Sequence, residues 1–518
     1  MRHGGLRNGI LPAIALSAAL WSDAGAQPAP PAPRPRAALP VVTVRFTTLG
    51  NLTYQLDCVS GVVRHCGTAD FEALWRARFL RTRADTMALG QWRTARLKYT
   101  EAKPEPPATS HDEAPPLFGP TAGNRVEEGI RMAGFSARTR SAYTAALRPF
   151  VQPSDRGTLL AAIGHFEPRF AQWIRREARA HGDTFVRATT QWLTSAGRTS
   201  VQQLITLYDA NVAARDTVVF TLLYRPGLAE AGSYGQALDR FALVEFLKGE
   251  QPADRIPVAL HELAHVMSSR TRPATRARVQ RAFVEQGDNG LAAYALLEEG
   301  LALSAATVPA ERALRTDSAV QLLLRTPGTL YDTPEVDRAG RALVPLVQEW
   351  LSQGRRIDDA TFAPRVVSAL RAVFDTASDV RGLAAARNLL HMRTVFVDEG
   401  LGDEASRVRQ EISSLFGAHF SLTAQDICCT ADALAGFRAF PQLPSLLVVK
   451  NTNTDALAAA LKLPAAALAA TNGVEQPFIM VRTPEHPAPI FLIVARTVHD
   501  AQLAVRRLAT AHSPLMQP

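Results

Sequence analysis

The segment IPVALHELAHVMSS, residues 256–269, constrains this chain more than any other stretch. Val258, Ala259, Leu260, Leu263, Ala264, Val266 and Met267 make it read as a buried helix, yet it carries His261, Glu262 and His265. Helical positions four apart share one face, so both imidazoles can present a nitrogen to one point. Zinc takes such nitrogens at about 2.0–2.1 Å in tetrahedral geometry. Glu262 projects beside that point, where a water on the open metal position would sit. The H-E-x-x-H pattern thus supplies two ligands and a general base. The competing reading is a core helix with two hydrogen-bonded histidines. It leaves Glu262 as an unpaired buried carboxylate, which is costly, so the metal reading is preferred.

A catalytic zinc wants a third protein ligand. Downstream, YALLEEGLALSAA (294–306) sets Glu298 and Glu299 between apolar turns of a helix-like run. Thirty-three residues lie between His265 and Glu299, enough to leave the first helix, cross a loop and return antiparallel beside it. Gly300 and Ala302 are small and permit close helix packing. With these two motifs, residues 200–350 resemble the gluzincin metallopeptidases, whose third ligand is a glutamate in an Asn-Glu-Gly-aromatic-Ala helix. Aligned on that motif, EEGLA puts Glu299 in the ligand position, with Glu298 in place of Asn and Leu301 in place of the aromatic residue. Glu298 and then Asp288 are the next choices as ligand. The resemblance implies a single Zn2+ held by His261, His265 and Glu299. It also implies peptide-bond hydrolysis with Glu262 as base and acid.

The resemblance further implies an edge strand that binds an extended substrate, and ALDRFALVEFL (237–247) is the segment expected to provide it. Oxyanion stabilisation needs a donor aimed at the developing charge. Tyr331, just before a long amphipathic helix, is the first choice, with Tyr294 and His391 behind it.

The N-terminus carries Arg2 and Arg7, an apolar run Ile10–Trp21, and Ala24-Gly25-Ala26 before Gln27. This is signal-peptide anatomy over residues 1–26, and the run is too short to span a bilayer. An exported protein, periplasmic or secreted, is expected, with no later transmembrane segment. Four cysteines, Cys58, Cys66, Cys428 and Cys429, suit disulfides in an oxidising compartment, with the pairing left open. The formal charge of +9 invites an anionic partner. However, the arginines are scattered, no dense basic block occurs, and no aromatic platform is interleaved with them. Nucleic acid is therefore not expected as a partner. Asn51, in NLT, matches a glycosylation acceptor, which carries little meaning in a bacterial-looking chain.

The pattern predicts an α+β fold: a mainly helical zincin-like core with a small sheet, and a small C-terminal α/β module. Residues 27–40 read as a Pro/Ala-rich linker and 41–123 as a strand–helix region with a loop at 101–123. Residues 124–425 read as the peptidase domain and 430–518 as the module. Strands are expected across 41–61, one helix from Asp70 to Tyr99, and helices from 273 to about 422. The function expected is an exported zinc peptidase acting on peptides or proteins. The alternatives are a non-catalytic binding protein on a peptidase-like scaffold and, less favoured, a basic protein that binds anionic surfaces or nucleic acid.

Overall fold

The computed structural model describes residues 39–63, 69–100, 125–226, 235–376, 382–417, 420–430, 433–463 and 477–511. The expected signal peptide, most of the linker, the 101–123 loop and Cys66 lie outside them. Helix predominates, and two separate sheets are present.

Strand β1 (Val41–Arg45) opens the first sheet, and helix α1 (Thr48–Val59) follows at once. Strands were expected throughout this stretch because Val, Thr and Tyr favour them. The helix wins for two local reasons. Thr47 caps it, its hydroxyl accepting from Gly50 N–H at 3.1 Å. Asn51 and Gln55, one turn apart, also face β2 (Thr217–Arg225). Strand β1 pairs with β2 only as far as Thr221. Beyond that point Asn51 donates to Leu222 O (3.3 Å) and accepts from Tyr224 N–H (2.6 Å), while Gln55 donates to Tyr224 O (2.9 Å). Two side-chain amides thereby take the place of a missing neighbouring strand. Asn51 is fully buried, which excludes a glycan on the folded chain.

The expected helix from Asp70 is two helices, α2 (Ala69–Arg78) and α3 (Arg83–Thr100). Thr82 and Asp85 form a reciprocal cap that starts α3 afresh. Inside, Asp57 accepts from Trp92 Nε1 and from two nitrogens of Arg96, each at 2.9 Å, pinning α1 to α3. Helices α4 (Arg125–Ser136), α5 (Arg140–Leu147), α6 (Pro153–Glu177), α7 (Arg179–Thr194) and α8 (Gly197–Tyr208) follow as the periodicity predicts. Trp75, Phe79, Phe166, Phe170 and Trp173 pack together beneath the sheet's helical cover.

The segment 237–247 is not one strand. Asp239, at φ 46°, turns the chain between β3 (Gly235–Leu238) and β4 (Phe241–Leu247). The sheet order is β1-β2-β4-β3, parallel except for β3, which runs antiparallel along the edge. Within 237–247 the edge strand is therefore β3, and β4 is internal.

Next come α9 (Pro252–Ser269), α10 (Pro273–Val284) and α11 (Gly287–Ala302). A π-helical turn, Leu303–Thr307, leads into α12 (Val308–Leu314), α13 (Asp317–Arg325), α14 (Pro334–Gln353) and α15 (Phe362–Phe374). Gly300 meets α14, where an added Cβ would lie 3.0 Å from Leu343. The continuous apolar stretch Gly287–Leu314 has the length and composition of a membrane span, but 83% of its apolar window is buried inside the protein.

The helical run expected to reach residue 422 is broken by β5 (Met392–Asp398), after the short α16 (Ala386–Leu389). Strand β5 begins a second sheet that continues with α17 (Ala405–Phe416), β6 (Phe420–Asp426), α18 (Ala435–Ala439) and β7 (Ser445–Lys450). Helix α19 (Thr454–Leu461), the hairpin β8 (Ile479–Thr483) and β9 (His486–Ala495), and α20 (Val498–Ala509) complete it. Its order is β6-β5-β7-β9-β8, parallel except for β8. At the carboxyl end of β5, buried Asp398 accepts backbone N–H groups of Gly400, Cys428 and Lys450 and the Asn453 amide, tying three loops together. Cys428 and Cys429 are joined to each other.

Candidate metal centre

Helix α9 starts at Pro252 behind a reciprocal cap of Gln251 and Asp254. It buries one face against β3 and β4, and this sets His261 and His265 on the side facing α11. His261 lies opposite Thr307 and His265 opposite Glu298, so α11 and its continuation run antiparallel to α9.

Three ligand atoms converge. His261 Nε2 lies 3.1 Å from Glu299 Oε2 and 3.1 Å from His265 Nε2, and His265 Nε2 lies 3.5 Å from Glu299 Oε2. A tetrahedral ion with bonds of about 2.0–2.1 Å needs ligand–ligand separations of roughly 3.3 Å. The observed triangle matches one face of that tetrahedron and leaves its fourth corner open. His261, Glu262 and Glu299 are all buried. The residues present therefore fit a small divalent ion.

Both outer imidazole nitrogens are occupied. Thr307 Oγ1 lies 3.4 Å from Ala302 O and donates to it, so it accepts from His261 Nδ1–H at 3.3 Å. His265 Nδ1 faces Glu298 Oε1 at 3.1 Å, and a carboxylate there can only accept. With an ion in place, both rings would keep a proton on Nδ1 and direct the Nε2 lone pair inward. Burial opposes protonation of His265, but Glu299 and Glu298 outweigh it and raise its pKa well above the ordinary value.

Glu262 stands beside the triangle. Burial raises its pKa; His261 and His265 lower it, Glu299 raises it, and the Ala237 backbone N–H on β3 lowers it. The carboxylate presses on β3 so closely that a Cβ at Gly235 would lie 2.3 Å from Glu262 Oε1. The base is thus seated between the ligand triangle and the edge strand.

Of the other residues singled out from sequence, Tyr331 reaches the site. Its ring lies parallel to His261 with centroids 6.1 Å apart and planes at 29°. Asp337 on α14 places it by accepting the N–H groups of Gly328 (3.0 Å), Leu330 (2.9 Å) and Tyr331 (3.3 Å). Tyr294 is half-buried; its hydroxyl accepts from Gln280, and its pKa is pushed up to about 12, mainly by desolvation. His391 sits at the head of β5 against Gly417, in the second sheet. Asp288 is ion-paired to Arg482 of β8 and takes no part in the triangle. Glu298, the second choice as ligand, instead lies against His265 Nδ1 at 3.1 Å.

Thr307, Gly235, Asp337 and Tyr208 were not singled out. Thr307 depends on the π turn, which inserts an extra residue and has no sequence signature. Tyr208 ends α8 with a buried hydroxyl that has no hydrogen-bond partner among the described residues. Its pKa is well above the ordinary value, through burial and then the charges of Glu298 and Glu299.

The His261-Glu262-x-x-His265…Glu299 cluster has the ligand arrangement of HExxH-type zinc metallopeptidases. With the helical core around it, that arrangement defines the class: an enzyme built for metal-activated hydrolysis. Compared with protein-family models, curated proteins and solved structures, the chain matches none. The class therefore rests on the geometry of the site.

Proposed function

We propose that the protein is a zinc-dependent peptidase that hydrolyses peptide bonds in exported or extracellular substrates. The observation that carries this reading is the seat of Glu262: a buried carboxylate beside three converging ligand atoms and against β3, an edge strand among the described residues. A protein that only bound a ligand would have no use for a base there, and this disfavours the non-catalytic alternative.

When bound, a zinc ion would polarise the scissile carbonyl and lower the pKa of an attacking water towards about 7. Glu262 takes the proton of that water and returns it to the leaving amine. The Ala237 N–H holds the carboxylate in place while burial keeps its basicity up. Strand β3 lies at the edge of the sheet among the described residues, next to Glu262, so backbone pairing of an extended peptide there would set the scissile bond. Tyr331, stacked along His261, is the residue best placed to offer a hydroxyl to the developing oxyanion. The signal-peptide anatomy of residues 1–26 supports export to the periplasm or medium.

Cleavage of an unbiased peptide library, read by mass spectrometry, tests the reading, with Glu262→Gln as control. Turnover by the wild type and its loss in the variant, with metal retained, are expected. No cleavage by the metal-loaded wild type, or equal cleavage by the variant, would overturn it.

A further inference from the structure

The two metal-facing histidines are held by chemically different partners. His261 Nδ1–H meets a neutral hydroxyl, Thr307 Oγ1, which itself donates a hydrogen bond to the Ala302 carbonyl. His265 Nδ1–H meets a carboxylate, Glu298 Oε1, at 3.1 Å. Glu298 directly precedes the third ligand on α11, so one helical segment supplies both a first-contact carboxylate and a charged clamp on the facing imidazole. Arg276 feels the charge of Glu298 but directs an Nη to the carbonyls of Ser269 and Thr271.

The charge balance shows what this does. Two neutral imidazoles and Glu299 place one negative charge around a divalent ion, and Glu298 adds a second through His265. Ion, ligands and clamp then sum to zero, where a neutral amide at position 298 would leave +1. We propose that Glu298 is a positioning residue that fixes the His265 tautomer and, by its charge, makes the centre retain its ion tightly. This rests on the metal reading of the triangle.

The variants separate charge from geometry. Glu298→Gln keeps length and an acceptor oxygen but loses charge; Glu298→Ala loses both. The Glu298 side chain is 38% exposed, so neither variant opens a core cavity. Zinc affinity is measured by competition with a chromophoric chelator, alongside the Tm of the metal-free chains. Outer partners of metal-bound histidines typically change affinity by about 10–100-fold. About tenfold weaker binding is expected for Glu298→Gln and about a hundredfold for Glu298→Ala, with apo Tm unchanged. Affinities within threefold of wild type would overturn the proposal while leaving the peptidase reading intact. A weakened affinity accompanied by a matching fall in apo Tm would reduce Glu298 to a structural role and overturn it too. A wild-type chain that binds no zinc would remove both readings together.

Discussion

Gly235→Ala probes the seat of the base without replacing the base or any ligand. Gly235 has an ordinary backbone conformation, so alanine is locally allowed and any effect must come through contact. The added Cβ would lie 2.3 Å from Glu262 Oε1, 2.8 Å from Cδ and 2.9 Å from Cγ. Ordinary carbon–oxygen contact starts near 3.4 Å, so the carboxylate must move by about 1 Å or β3 must lift off α9. A displacement of that size at a reacting group costs on the order of a hundredfold in rate. Glu262 is not one of the three converging atoms, so metal binding should be spared. The assay is steady-state cleavage of the best library peptide, with zinc content measured on the same preparation. A hundredfold fall in kcat at unchanged zinc stoichiometry is expected. Activity within threefold of wild type would refute the claim that β3 seats the base.

Tyr331→Phe should lower kcat by about a hundredfold with little change in KM if the hydroxyl meets the oxyanion; unchanged kcat would leave the ring a packing role beside His261. Asn51→Ala should cost about 3 kcal/mol in urea unfolding, since it strands the Leu222 carbonyl and the Tyr224 amide in the core; a loss below 1 kcal/mol would show that α1 does not serve as a surrogate strand. Burial lowers the pKa of His486 to about 4, although its bond to the Leu443 carbonyl opposes this. The unfolded chain therefore binds the extra proton between about 4 and about 6.5, and stability should rise with pH across that window by about 3 kcal/mol. Urea midpoints of the wild type should show this rise and those of His486→Gln should not; equal pH slopes would contradict it.

The site was legible in sequence to the extent that its chemistry is local. His261, Glu262 and His265 sit on one helix, and their spacing alone dictates their faces. Glu299 required a second motif, and EEGLA supplied it. Glu298 was legible as an acidic neighbour but not as the partner of His265, because that depends on how α11 faces α9. Thr307 was hidden by the π turn. Among the secondary elements, periodicity found the long helices but misread α1. Its β-branched and aromatic residues favour a strand, while burial on nearly every side and the two amides facing β2 favour a helix. The polar pair Asp239-Arg240 inside an apolar run marked a turn, yet 237–247 read as continuous because apolar residues flank the pair on both sides. Strand β5 escaped because its pairing partners come from residues far along the chain, and a short segment whose apolar residues are Met392, Val395, Phe396 and Val397 does not distinguish strand from helix.

The claim on which the account depends is that three side chains from two helices converge on one divalent ion. Native mass spectrometry of the purified chain in zinc tests it directly, with Glu299→Ala run in parallel. One zinc per chain, lost or weakened by several orders of magnitude in the variant, is the predicted result. A wild-type chain that takes up no zinc, or a variant that holds it as tightly as wild type, would contradict it.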